Sequence, residues 1–185
     1  MNKTEEINYH NLFYSIVKNN DKEIIVNIVR ELYEVHWVIS GNSQIKYYLE
    51  NILIAPEIRQ NILLMIIGKL IDDPSEYTMA FLIYLLRKDL FHKLSYIMHI
   101  FKYYFAEETN LLLVEVISRY PVDEKILSFY KQQIETNNNK NVEFIYKYVP
   151  NMLGGFKLRW HEGEIDATLR RRVDKIKDMI TKRKV

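Results

Sequence analysis

The chain has 185 residues, of which 48% are hydrophobic, so it can bury a core and suits one ordinary domain or two small ones. It contains no cysteine, which excludes disulfides, thiolate catalysis and cysteine-ligated metal sites. The net charge is +2, but residues 170–185 carry eight Lys or Arg against two Asp, whereas the rest carries 18 basic against 22 acidic residues. This uneven charge indicates an interaction surface at the C-terminal end more than a protein coated for nucleic acid.

The sequence offers no segment suited to crossing a membrane. The apolar runs NILIA and NILLMIIGKLI are shorter and more interrupted than the roughly 20 apolar residues that a spanning helix needs. The first residues, MNKTEEINYH, are acidic and polar, unlike a secretory signal or an Arg-rich transit peptide. We therefore expect no direct membrane insertion and a location in the cytoplasm or an equivalent interior.

The first hundred residues predict six helices in succession, because apolar residues recur at spacings of three and four. Gly41 ends the second helix, and Pro56 suits the first turn of the fourth. Asp73 and Ser75 are both plausible caps for the fifth. Short connections predict a compact bundle of antiparallel neighbours. The expected helices cover residues 4–19, 21–40, 43–53, 56–72, 73–89 and 90–108.

The pattern changes after Thr109. NLLLVEVISRY is rich in β-formers, NVEFIYKYV and GFKLRW alternate apolar and polar residues, and HEGE forms a turn, so we expect strands and a β-hairpin. PVDEKILSFYKQQIETN is a helix with proline at its start. The fold class is therefore mainly α with a small α/β part. Residues 1–107 form a six-helix bundle, and residues 108–185 form a smaller strand and helix domain ending in a basic amphipathic helix.

Chemistry-bearing patterns are weak. The five histidines contain no HExxH motif, and His92 and His99 lie seven residues apart, too far for two ligands of one zinc ion. Serine occurs in neither a GxSxG nor a SxxK motif. Glu115, Asp123 and Glu124 are conceivable acid–base groups, but acidic residues at a strand and a helix N-terminus are expected without catalysis. We predict no catalytic residue, no metal and no cofactor.

Two features of the C-terminal sequence suggest ligands at first sight. Gly154-Gly155 lacks a following GxxGK[ST], and a strand stands where a phosphate-binding loop needs a helix, so phosphate binding is not expected. The basic segment RRRVDKIKDMITKRKV suits a solvated helix end, a nucleic acid or an acidic partner helix. Its apolar ridge favours the partner helix, because nucleic-acid contact alone needs no such ridge. The ridge comprises Leu169, Val173, Ile176 and Ile180.

The order of elements and the C-terminal sequence resemble the δ subunit of F-type ATP synthases, called the oligomycin sensitivity-conferring protein in mitochondria. That family's signature reads Val-Asp-Pro-x-Leu-Ile/Leu-Gly-Gly-Phe, then an alternating strand, a turn, Ile-Asp-x-Ser/Thr and a basic amphipathic helix. Val149 replaces the family's Asp, and Val173 replaces its later Leu. The N-terminal YHNLFYSI keeps Tyr9 of the family's Tyr-Ala-x-Ala-Leu-Phe pattern but not the alanines. The signature positions matched are Pro150, Gly154, Gly155, Phe156, Ile165, Asp166 and Thr168.

The resemblance implies two partner-binding surfaces. In the family, the helical domain receives the N-terminal helix of an α subunit between its first and fifth helices. The C-terminal part receives the C-terminal ends of the stalk's b subunits. On this chain, the first surface corresponds to Tyr9, Phe13, Ile16, Val17, Tyr77, Phe81, Tyr84 and Leu85. The second corresponds to the ridge Leu169, Val173, Ile176 and Ile180, with Arg170, Arg171 and Arg172 as rim charges.

The function that the resemblance implies is mechanical and non-catalytic. A single copy per complex ties the catalytic head to the peripheral stalk, so that proton flow drives ATP synthesis and does not turn the head idly. The expected location is the inner face of a bacterial plasma membrane, or the matrix side of the mitochondrial inner membrane, as a peripheral protein. The alternative is a helical adaptor that binds nucleic acid or protein through the basic C-terminal helix.

Overall fold

The computed structural model describes residues 20–182, together with residues 11, 15 and 18. The chain divides into two compact units, Met1–Tyr104 and Phe105–Val185. The division falls inside one helix, close to the domain boundary predicted at residue 107. Within the described part of the chain, no helix is long and apolar enough to cross a bilayer.

The described part of the N-terminal unit is helical. Its helices correspond to the second through sixth helices predicted from the sequence, whereas the first predicted helix lies outside the continuously described residues. A short 3₁₀ turn, Phe91–Lys93, precedes the last helix, which continues into the C-terminal unit. The helices are α1 (Lys22–Gly41), α2 (Ser43–Glu50), α3 (Pro56–Leu70), α4 (Glu76–Arg87) and α5 (Leu94–Thr109).

Local side chains set the helix ends. The Asn42 side chain accepts hydrogen bonds from two backbone N–H groups at the start of α2. Pro56 occupies the first turn of α3, as the sequence predicts. Ser75, not Asp73, caps α4, because its hydroxyl accepts from the Tyr77 N–H at 3.3 Å. Helix α2 ends earlier than predicted, because Asn51 forms a turn by accepting from the Leu53 N–H at 3.0 Å.

The helices of this unit bury continuous apolar faces. The face of α1 is fully buried from Ile25 to Ile39 at spacings of three and four. The Phe81 ring of α4 lies 5.2 Å from the Phe101 ring of α5. The Tyr33 hydroxyl of α1 donates to the Met98 carbonyl at 3.3 Å, which satisfies a polar group inside the core.

Glu31 links α1 to the start of α4. Its carboxylate accepts from the Ser75 N–H at 3.1 Å and from the Thr78 hydroxyl at 2.5 Å. Thr78 is fully buried, so its hydroxyl depends on this partner. A negative charge at a helix N-terminus is also favourable with respect to the helix dipole.

The C-terminal unit is built on a four-stranded mixed sheet of order β2-β1-β3-β4. Strand β1 runs parallel to β2 and antiparallel to β3, and β3 runs antiparallel to β4. Helix α6 makes the crossover between the two parallel strands. The elements are β1 (Leu111–Ser118), α6 (Glu124–Asn138), β2 (Asn141–Tyr148), β3 (Phe156–Arg159), β4 (Glu164–Asp166) and α7 (Leu169–Lys182).

One face of the sheet packs against α6 to form the core of this unit. The predicted hairpin is present as β3 and β4, closed by the Trp160 N–H donating to the Gly163 carbonyl at 2.9 Å. Asp123 is the N-cap of α6, accepting from the Lys125 N–H at 2.8 Å, which gives it a structural role. The core cluster contains Ala106, Leu112, Val114, Val116, Leu127, Ile134, Val142, Phe156 and Leu158.

The Glu31 contacts lead to a stability prediction. Glu31→Ala leaves the buried Thr78 hydroxyl and the first turn of α4 without their acceptor, so we expect the N-terminal unit to lose about 1–3 kcal/mol of unfolding free energy. In a Trp160→Phe background, Trp37 is the single tryptophan and reports urea unfolding of this unit. The exposed Glu23→Ala, on the same helix, serves as the control. Equal losses for both variants would contradict the role of Glu31.

Candidate partner-binding surfaces

Helix α7 carries an apolar stripe that its own unit leaves exposed. Each of its apolar side chains is between 45% and 61% exposed, and every residue described on the helix lies at the surface. The sequence predicted four of these positions, and the structure adds Met179 at the edge of the stripe. The sequence prediction left out Met179, because this residue lies to one side of the other four, about 60° around the helix from Ile176. The stripe consists of Leu169, Val173, Ile176, Met179 and Ile180.

The three arginines at the start of α7 do not share one position around the helix. At about 100° per residue, Arg172 borders the stripe on the side of Met179, and Arg170 borders it on the other side, near Lys177. Arg171 lies on the far side of the helix. On this geometry Arg170 and Arg172 lie beside the stripe, whereas Arg171 lies away from it.

A hydrogen-bonded turn fixes the start of α7. The Thr168 hydroxyl accepts from the Arg171 N–H at 3.2 Å, and the Asp166 carboxylate accepts from the Thr168 N–H at 3.0 Å. Hydrogen bonds from the Thr168 side chain and backbone to the carboxylate, together with the nearby Lys157 ammonium, hold the pKa of Asp166 below its ordinary value of 3.8. The two signature positions Asp166 and Thr168 therefore act as the helix cap.

The remaining signature residues lie around the approach to β3. Gly154 and Gly155 have φ values of +148° and +77°, a conformation that favours glycine, and they lead the chain into the strand. Phe156 is buried in the core cluster, and its ring lies 5.6 Å from that of Tyr130. Ile165 is partly buried against the same cluster, whereas Pro150 is exposed.

Of the predicted groove residues in the N-terminal unit, the structure describes those on α4. Tyr77 and Tyr84 are each 43% exposed, whereas Phe81 and Leu85 are buried. The exposed Ala80 lies between the two tyrosines along the helix, and it was not among the residues predicted from the sequence. Four other predicted residues lie outside the described residues: Tyr9, Phe13, Ile16 and Val17.

The N-terminal unit has a second apolar surface that the sequence analysis missed. Its residues lie in the loop before α3 and on the outer side of that helix, where Leu53 is 89% exposed. Apolar residues lie on both the buried and the exposed sides of α3, so periodicity alone does not separate its buried face from its exposed one. The exposed residues are Ile52, Leu53, Ile58 and Met65.

The polar side chains considered for chemistry make structural contacts. Buried Glu115 on β1 accepts from Arg159 of β3 at 2.7 and 3.1 Å, in a two-pronged ion pair between register partners. The His36 ring nitrogen lies 2.9 Å from the Ser95 hydroxyl. Among the described residues, no group of three or more metal-ligating side chains converges.

Comparison with known proteins decides the family. Residues 12–180 match the family described as ATP synthase delta (OSCP) subunit. The chain belongs to the ATP synthase delta (OSCP) subunit family. It is accordingly a non-catalytic subunit of an F-type ATP synthase, a component of the peripheral stalk.

Individual relatives cover the whole chain. The ATP synthase subunit delta of Syntrophomonas wolfei is 22% identical over 100% of this chain and 99% of its own length. That of Rickettsia canadensis is 24% identical over 98% of this chain and 97% of its own. A chain in the cryo-EM structure of the Toxoplasma gondii mitochondrial ATP synthase hexamer aligns with a TM-score of 0.57 at 12% identity, covering 95% of this chain and 97% of that one. At 12% sequence identity, this structural similarity shows that the two chains share a fold and nothing further.

The cap of α7 in this delta-family chain leads to a pH prediction. Because the folded-state pKa of Asp166 is lowered, its ionised form stabilises the C-terminal unit above pH 3.8, and this contribution is lost as the pH falls through the lower folded value. Asp166→Asn should therefore cost about 0.5 kcal/mol at neutral pH, and the difference from the wild type should vanish in acid.

The measurement is urea unfolding of the C-terminal unit at several pH values, followed by Trp160 fluorescence in a Trp37→Phe background. Asp174→Asn removes one carboxylate from the exposed middle of α7 and is the matched control. A difference between wild type and Asp166→Asn that persists unchanged at the lowest pH would contradict this role of the carboxylate.

Proposed function

We propose that this chain joins the catalytic head of the ATP synthase to its peripheral stalk through two helix-binding surfaces. The N-terminal unit, as a six-helix bundle, binds the N-terminal helix of an α subunit, and the C-terminal unit binds the C-terminal ends of the b subunits. One copy serves each complex. Its role is to prevent the head from turning with the rotor, so that proton flow is coupled to ATP synthesis.

The exposed stripe of α7 is the observation that carries this proposal. Five apolar side chains along one side of α7, each about half exposed, remain in water unless a partner covers them. Because full burial of such a side chain is worth roughly 1.5–3 kcal/mol, covering the exposed half of each is worth roughly 1 kcal/mol. An amphipathic partner helix fits this surface, because helix-in-groove recognition uses anchors at spacings of three, four and seven. A stripe of this length suits about three turns of partner helix.

The charges around the stripe specify the partner further. Arg170, Arg172 and Lys177 border it on both sides, so a partner with acidic residues beside its own apolar face is complementary. Charge pairs at the rim steer association and set the register, while the apolar core of the interface supplies most of the affinity. A stalk joint needs this combination, because it must dissociate slowly.

The second surface uses the outer side of α4. Tyr77 and Tyr84 stand half exposed on either side of Ala80, an arrangement that suits one apolar side chain of a docked helix between two aromatic rings. Phe81 and Leu85, on the same helix, are buried in the core of the unit. The first predicted helix, with Tyr9 and Phe13, would form the other wall of the groove.

The location follows from the same proposal. The subunit lies at the inner face of the membrane as a peripheral protein, held by its partners. Both relatives named above come from bacteria, which supports the cytoplasmic face of a bacterial plasma membrane over the mitochondrial matrix.

The α7 surface predicts unequal effects of neighbouring arginines. Arg172→Glu puts a negative charge at the rim of the stripe, where it repels an acidic partner, so we expect about tenfold weaker binding of a peptide from the C-terminal end of the b subunit. Arg171→Glu makes the same charge change on the far side and should alter binding less than threefold at 150 mM salt. Isothermal titration calorimetry of the full chain measures both.

Ile176→Ala adds a charge-neutral test at the centre of the stripe and should weaken the same peptide at least tenfold. Duplex DNA is the competing ligand. Equal losses for the two arginine variants, or DNA binding that is tighter than peptide binding and falls steeply with salt, would contradict the partner-helix proposal and favour nucleic-acid binding.

The α4 surface predicts a separation of binding from stability. Tyr77→Ala and Tyr84→Ala remove half-exposed rings, so each should weaken binding of an α-subunit N-terminal peptide of roughly 20 residues by about tenfold. Neither should lower the unfolding free energy by more than about 1 kcal/mol. Phe81→Ala, in contrast, leaves a core cavity and should cost about 3–5 kcal/mol. Tyrosine variants that unfold the unit, or that bind the peptide normally, would rule out this surface.

A further inference from the structure

The glycine pair before β3 lies against the first turn of α7. A Cβ atom on Gly155 would stand 2.4 Å from the Ala167 carbonyl oxygen, 2.9 Å from the Thr168 Cα and 3.1 Å from the Leu169 nitrogen. All three are backbone atoms at the start of the helix, so no side-chain rotation relieves the contact. The absence of a Cβ at this position is what allows the helix start to lie so close.

Gly154 makes a contact of a different kind. A Cβ atom there would stand 2.8 Å from Cδ1 and 3.4 Å from Cγ of Leu169, the first residue of the apolar stripe. These atoms belong to a side chain, which can rotate away. A side chain at residue 154 therefore meets Leu169, one residue of the stripe, and the φ of +148° strains the backbone there as well.

Backbone hydrogen bonds on both sides of the pair hold the same contact. The Ala167 N–H donates to the Phe156 carbonyl at 3.0 Å, and the Leu169 N–H donates to the Gly154 carbonyl at 3.1 Å. The helix start is thus bonded to the residues that flank Gly155. This arrangement ties the direction of α7 to the sheet, because β3 begins at Phe156 and pairs with the central strand.

We propose that Gly154 and Gly155 are positioning residues for the docking surface: Gly155 sets the direction in which α7 leaves the sheet, and Gly154 seats Leu169 within the stripe. This inference rests on the proposed function, since it assigns the pair to the binding of the stalk helix. A stator joint requires a fixed direction of its docking helix, because an angular error at the root displaces the far end of a helix of 14 residues by several ångströms.

The direction of α7 can be measured without any partner. The chain has no cysteine, so Gln133→Cys on α6 and Lys175→Cys on α7 take spin labels at two exposed positions. Electron–electron double resonance should give one narrow distance distribution for the otherwise unchanged chain. Gly155→Ala should shift or broaden it, whereas Gly68→Ala, where a Cβ meets nothing within 4 Å, should leave it unchanged.

A second substitution at residue 155 separates steric contact from backbone conformation. Asparagine tolerates positive φ better than alanine but carries the same Cβ. If the contact with the helix start is decisive, Gly155→Asn shifts or broadens the distance distribution as Gly155→Ala does. A distribution restored by asparagine would overturn the assignment of Gly155, because φ alone would then explain the glycine.

The role of Gly154 is tested by a double-mutant cycle with Leu169, read out with the b-subunit peptide. Gly154→Ala and Leu169→Ala should each weaken binding about tenfold, and the double variant should be no weaker than either single variant. If the losses of binding free energy in the two single variants add up in the double variant, the proposal that Gly154 positions Leu169 is wrong.

The outcomes distinguish this inference from the function on which it rests. If Gly155→Ala fails to fold, the cycle at Gly154 and Leu169 and the distances in Gly155→Asn decide the matter. If the unsubstituted chain does not bind the peptide, the proposed function fails, while the spin-label distances still test the direction of α7. If the chain binds normally and Gly155→Ala changes neither distance nor affinity, the inference fails alone.

Discussion

The proposed function depends on the apolar stripe of α7, which the C-terminal unit leaves exposed. A helix of 14 residues with half-exposed Leu, Val, Ile and Met side chains gains little stability from its own unit. What holds it is its root, where Thr168 and Asp166 cap the first turn and the backbone beside Gly155 contacts it. The core of the unit is thus built around the sheet, and the apolar stripe of α7 stays exposed for the partner helix that we propose.

The two surfaces that we propose for partner binding differ in how much their residues contribute to the core. On α7 the proposed docking residues are about half exposed, so they can be changed with little loss of stability. On α4 the half-exposed Tyr77 and Tyr84 share the helix with buried Phe81 and Leu85, so the proposed binding surface and the core lie on one helix. Substitutions in α4 therefore have to be chosen by exposure, or a loss of folding will be mistaken for a loss of binding.

Much of the fold is predictable from the sequence, because local patterns specify it. The alternating NVEFIYKYV and GFKLRW became β2 and β3, and Pro56 and the Thr168 cap mark the helix starts as their chemistry requires. The predicted helix ends are wrong where two nearby polar side chains could each form the hydrogen bond that ends or caps the helix. Asn51 ends α2 early through its own turn, and Ser75 rather than Asp73 caps α4, both decided by which hydrogen bond forms.

The sequence by itself determined the family, the helical and α/β organisation, and the stripe with its basic surroundings, since residue type and spacing carry that information. Only the tertiary structure decided which predicted contact residues are accessible. Periodicity puts Tyr77 and Phe81 on one side of α4, but in the folded unit Phe81 is buried and Tyr77 stays half exposed. The glycine pair is a second example. The sequence indicates a turn at Gly154 and Gly155, but only the structure shows that the pair lies against Ala167 and Leu169, held there by backbone hydrogen bonds.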